Sequence, residues 1–156
     1  GYKYNMPGRE EHIAHIFTAF GDQKYLPAEP LIMKYIPKDH SLGYESRAAG
    51  AWALGMLYKD NVKEELVPVL VGRMLDGVSM DPESGLMCQM SAISLGRMKA
   101  AKAVDGLMVN VSNTGPLGNA CRWSLEQITG EEIPRPEQPE AITAIEDWFL
   151  MPLPQK

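Results

Sequence analysis

Residues 46–57 read Ser-Arg-Ala-Ala-Gly-Ala-Trp-Ala-Leu-Gly-Met-Leu. Two later stretches align with them without gaps: Met-Cys-Gln-Met-Ser-Ala-Ile-Ser-Leu-Gly-Arg-Met at 87–98 and Leu-Gly-Asn-Ala-Cys-Arg-Trp-Ser-Leu-Glu-Gln-Ile at 117–128. Small residues hold the fourth, fifth and eighth positions (Ala49, Gly50, Ala53; Ser91, Ser94; Ala120, Cys121, Ser124). Leu holds the ninth and an apolar residue the twelfth, a pattern that predicts a helix with one closely packed face. A weaker copy, His15 to Asp22, keeps Ala19-Phe20-Gly21 where 46–57 has Ala53-Leu54-Gly55. The anchors Gly21, Gly55, Gly96 and Glu126 are spaced by 34, 41 and 30 residues. Those intervals suit repeated helical pairs.

Each small-residue stretch is followed by an ordinary amphipathic one. Lys24–Tyr35 supplies Leu26, Leu31, Ile32 and Tyr35; Val62–Leu75 supplies Leu66, Val69, Leu70 and Leu75; Lys99–Val111 supplies Val104, Leu107, Met108 and Val111. Intervals of three and four residues predict helices, and no stretch alternates long enough to predict a strand. Turn residues separate the pairs at 37–43, at Asp76-Gly77, at 81–85 and at 113–116. The longest connection, Asp76 to Gly85, is the kind of loop that carries function more often than a short one. Three prolines between Ile133 and Glu140 break the pattern, and Glu140 to Leu150 is expected to form a terminal capping helix. The division expected is an N-terminal arm at 1–9, a repeat domain at 10–130, and a Pro-rich linker with the cap at 131–156. The fold class is all-α, a short right-handed α-α superhelix of about four helical pairs.

At 156 residues the chain suits one domain. A formal net charge of −5 argues against nucleic acid, whose binders concentrate positive charge. No apolar run approaches the length of a membrane span, and the first residues have no signal-peptide pattern. The start at Gly1 leaves room for a longer native chain, and the compartment stays open. Cys88 and Cys121 lie in apolar stretches and are expected in the core.

Arg47-Ala-Ala-Gly-Ala-Trp-Ala-Leu-Gly55, its echo Ser91-Ala-Ile-Ser-Leu-Gly96 and Cys121-Arg-Trp-Ser-Leu-Glu-Gln-Ile-Thr-Gly130 resemble HEAT-like repeats of the type first named in phycobiliprotein lyases. The resemblance covers roughly residues 10–130 and implies helical pairs stacked with the small-residue helices on the concave face. It implies no single function, because this scaffold serves many tasks. Cys88 and Gly118 replace Arg47 in the later copies, so the Arg ladder of that family is absent. Two enzyme types that share the scaffold do not fit: His12, His15 and His40 are not followed by Glu, as a dimetal hydroxylase needs, and the acidic chain lacks the basic groove of a DNA glycosylase.

The seventh repeat position holds Trp52, Ile93 and Trp123, large residues at one phase of three successive helices. Such a ladder either floors a groove, with Trp and Arg as interface anchors, or packs between neighbouring repeats. Arg122, Asn119 and Gln89 are the polar residues placed to border such a groove. His12 with His15, and Cys88 with Met87 and Met90, are better read as surface and core residues than as metal ligands. The chain has no GxSxG, HExxH, GxGxxG or phosphate-loop motif. The expected function is therefore a non-catalytic scaffold that binds a protein or peptide partner on the concave face, with no cofactor, metal or nucleic acid. The alternatives are a lyase-like or accessory enzyme subunit that holds a chromophore or metal, and a structural domain of a larger protein.

Overall fold

The computed structural model describes residues 9–137, and these are all-α. In chain order the helices are α1 (Arg9–Asp22), α2 (Glu29–Ile32), α3 (Tyr44–Leu57), α4 (Leu66–Leu75), α5 (Gly85–Arg97), α6 (Val104–Met108) and α7 (Pro116–Thr129), with short 3-10 turns between some of them. No strand occurs among the described residues. The expected arm up to residue 8 and the capping helix at Glu140–Leu150 lie outside the described residues; Arg9 already belongs to α1.

The small-residue helices pack on one another in chain order, α1 on α3, α3 on α5, α5 on α7. The shorter helices α2, α4 and α6 rest on the helix that follows each of them, and α4 also meets α6. Local chemistry sets the ends. The Ser84 hydroxyl accepts the Met87 amide at 3.1 Å and caps α5, Pro116 opens α7, and Gly130 at φ 74° closes it.

The same contact locks successive members of the row. A Cβ added to Gly55 would lie 2.6 Å from the Ser94 Cα, and one added to Gly96 would lie 2.5 Å from the Ser124 Cα. At Gly21 it would meet the Trp52 ring at 2.8 Å and the Ala53 Cα at 3.1 Å. The tenth repeat position of one helix thus abuts the eighth of the next. Ser94 and Ser124 then donate buried hydrogen bonds to the Ala51 and Ala92 carbonyls, at 2.6 and 2.7 Å. Each bond offers the serine hydroxyl a partner in a place closed to water.

The intervening segments depart from the continuous helices expected of them. Lys24–Tyr35 divides into a 3-10 turn at Leu26–Ala28, α2, and a second turn at Met33–Tyr35, because Pro27 and Pro30 each open a new piece. Lys99–Val111 divides into a turn at Ala101–Ala103 and the short α6, with Gly106 inside it. Val62–Leu75 begins its α-helix only at Leu66. The entry to the first and third of these segments is nevertheless one conformation: Tyr25 sits at φ −80°, ψ 84° and Ala100 at φ −74°, ψ 85°. Before them Lys24 and Lys99 adopt φ 51° and 62°, the left-handed turn that stops α1 and α5.

Candidate functional site

Repeat positions seven and eleven lie two residues to either side of the core leucines Leu54, Leu95 and Leu125. At near 100° per residue they fall on the opposite side of each helix, one turn apart. Along the row this face carries Thr18 and Asp22 on α1, Trp52 and Met56 on α3, Ile93 and Arg97 on α5, and Trp123 and Gln127 on α7.

The ladder residues do not share one environment. Trp52 is 6% exposed and Ile93 1%, both inside the hydrophobic core, whereas Trp123 packs against that core and stays partly exposed. Gln89 is buried and Asn119 half-buried. Arg122 is turned inward. Its Nη1 donates to the carbonyls of Val111 and Asn113 at 2.6 and 2.8 Å, and Nη2 donates to Asn119 Oδ1 at 2.5 Å. Arg122 and Asn119 are therefore engaged in closing the turn before α7. Of the six residues expected to border a groove, Trp123 is the one that combines size with an open edge.

Arg97 is the residue that sequence reasoning passed over. Its guanidinium carbon lies 5.3 Å from the centroid of the Trp52 ring, a cation–π contact, and the residue is only 9% exposed. Both Arg97 Nη1 and Trp52 Nε1 are buried without a hydrogen-bond partner among the described residues. Burial drives the guanidinium pKa down to about 10, and the charge of Asp22 draws it part of the way back. The signal was present in the spacing, since Arg97 follows the ladder residue Ile93 by one helical turn.

A second polar cluster holds the long loop. Arg47 Nη1 and Nη2 donate to Glu83 Oε1 and Oε2 at 2.6 and 2.7 Å, and both side chains are buried. Arg47 also donates to the carbonyls of Tyr35 and Ile36, at 3.1 and 3.3 Å, while Arg73 reaches Glu83 Oε2 at 3.1 Å. Burial works to raise the Glu83 pKa, but the hydrogen bonds from Arg47 and the Ser84 amide, with the charges around them, outweigh it and leave the carboxyl below 4.5. Lys38 adds an ion pair to Asp76 at 2.8 Å, and His40 meets Asp81 at 2.8 Å. On this clamped base Val78 and Met80 are fully exposed.

Cys88 and Cys121 are buried free thiols, pushed by burial up to about 11 and about 12. Among the described residues no three His, Cys, Asp or Glu side chains gather as a metal site, and no helix is long and apolar enough to cross a membrane. Set against protein-family models, curated proteins and solved structures, the sequence finds no match in any of the three.

Proposed function

We propose that the chain is a short α-solenoid of HEAT-like helical pairs that works as a non-catalytic interaction module, taking a protein or peptide along the α5–α7 part of the inner-helix face. The observation that carries this reading is the pairing of Arg97 with Trp52 on the helix face that also carries the partly exposed Trp123. Trp and Arg side chains gathered on one face are the residue types that dominate binding energy in protein interfaces. The stacking supports the solenoid. Four helices packed in chain order, with the glycine of one against the small residue of the next, are what repeated helical pairs require.

The ion-paired carboxylates support the non-catalytic part. Glu83 is held between Arg47 and Arg73, and Glu29 between Tyr58 and Lys63, so each is engaged in joining segments of the chain. The test is affinity. Once a partner is in hand, Trp123→Ala should weaken it by about tenfold or more, equivalent to at least ~1.4 kcal/mol, while Val69→Ala on α4 leaves it unchanged. Urea midpoints recorded for both variants separate binding from folding. Equal effects of the two substitutions, or none from Trp123→Ala in a folded chain, would place the partner elsewhere.

A further inference from the structure

The Arg97 guanidinium carbon lies 5.3 Å over the Trp52 ring, a cation–π contact that attracts the charge but gives the guanidinium N–H groups no oxygen acceptor. Buried donors of this kind nearly always have an acceptor, and one that lacks it costs stability, more so when it is charged. Among the described residues Arg97 Nη1 has none, and neither does Trp52 Nε1. The contrast with the other buried arginines is direct. Arg47 is bound by Glu83 and two carbonyls, and Arg122 by two carbonyls and Asn119, with its Nε alone left without a partner among the described residues, whereas no terminal nitrogen of Arg97 donates to a described residue. Among the described residues Arg97 has the charge of Asp22 nearby, with no hydrogen bond from its Nη1.

We infer that Arg97, seated on Trp52, is the anchor for a carboxylate of the bound peptide, an Asp or Glu side chain flanked by apolar residues. This rests on the interaction-module reading above. A carboxylate is planar and carries two oxygens at the spacing of a guanidinium fork, so it supplies the acceptors that the indole does not. It carries one negative charge. A phosphate group carries up to two, and the neighbouring Asp22 together with a chain of net charge −5 disfavours it. Trp123, further along the same face, provides apolar area for the flanking residues.

The experiment uses the full chain and an N-acetylated, C-amidated peptide Ala-Leu-Glu-Leu-Ala, with its Gln counterpart, acetate and inorganic phosphate as comparisons. The readout is the indole N–H resonances of Trp52 and Trp123 and the guanidinium resonance of Arg97. The Glu peptide should move all three. The Gln peptide should bind at least about tenfold more weakly. Acetate should move only Trp52 and Arg97, which separates a free carboxylate from a peptide-borne one. Arg97→Lys keeps the charge but loses the fork and should abolish the Trp52 shift. Arg97→Met removes the unpaired cation and should unfold at the same or a higher urea concentration.

Movement of the Trp123 resonance alone would overturn the Arg97 assignment and leave the interaction module standing. A response to phosphate but not to the Glu peptide, equal binding of the Glu and Gln peptides, or no shift at any of the three groups would also overturn it. So would a clear loss of stability in Arg97→Met, because that would make Arg97 a structural residue.

Discussion

Arg47 and Glu83 are 36 residues apart in sequence, yet they form the most buried ion pair among the described residues. Removing one partner of such a pair leaves the other charge without compensation in a dry place, at a cost of about 3–5 kcal/mol. Glu83→Gln should therefore lower the unfolding free energy by an amount in that range, measured by urea titration. The pH dependence follows from the same pair. Because the folded carboxyl titrates below its ordinary 4.5, its contribution is fully present above that value and is lost as the pH falls through the lower, folded value. The native chain should weaken with acid below pH 4.5 more steeply than Glu83→Gln does. Parallel acid profiles for the two would mean that the pair contributes nothing to folding. None of this was legible in the sequence. Arg47 was visible as the first rung of an Arg ladder whose later rungs are replaced by Cys88 and Gly118, but nothing local marks Glu83, inside the loop Asp81-Pro-Glu-Ser-Gly85, as its partner. In the structure Glu83 ties that loop to α3 through Arg47. The expectation of a buried environment for Cys88 and Cys121 needed only their apolar neighbours.

At the scale of the element, the glycines and serines of the repeat set the distance between helices. Gly55→Ala and Gly96→Ala each press a methyl group onto backbone of the next helix, which no side-chain rotation relieves. Each should cost about 1–3 kcal/mol, with the buried Ser94 or Ser124 bond strained as the helices separate. Gly72 in α4 is the control, because a Cβ there meets nothing within 4 Å. Gly72→Ala should be neutral or gain up to about 1 kcal/mol. Equal losses at all three positions would show that close approach is not what the row glycines provide. Position ten of α7 is Glu126 rather than Gly, and no described inner helix follows α7 to crowd it. These elements were readable because small residues recurring at one phase have a single steric meaning. The connecting segments were less so. Their apolar spacing is helical, but Pro27, Pro30 and Gly106 decide how long each piece runs, and that competition is settled by packing against the next inner helix.

For the molecule as a whole, the row of small-residue helices and the shorter helices share one hydrophobic core among the described residues. The sequence placed Trp52, Ile93 and Trp123 at one phase but did not tell core from groove, because helical period fixes direction and not what covers it. Trp52 lies over Gly21 and under Arg97, so it is enclosed from both sides, while Trp123 on α7 keeps a free edge. The proposed function depends on that asymmetry. The measurement that tests it most directly is acrylamide quenching of two single-Trp chains, one keeping Trp52 and one keeping Trp123, each with the other two tryptophans, Trp148 included, changed to Phe and its helicity checked. The account predicts that Trp123 is quenched readily and Trp52 hardly at all. Quenching of Trp123 as weak as that of Trp52 would close the face and contradict the account.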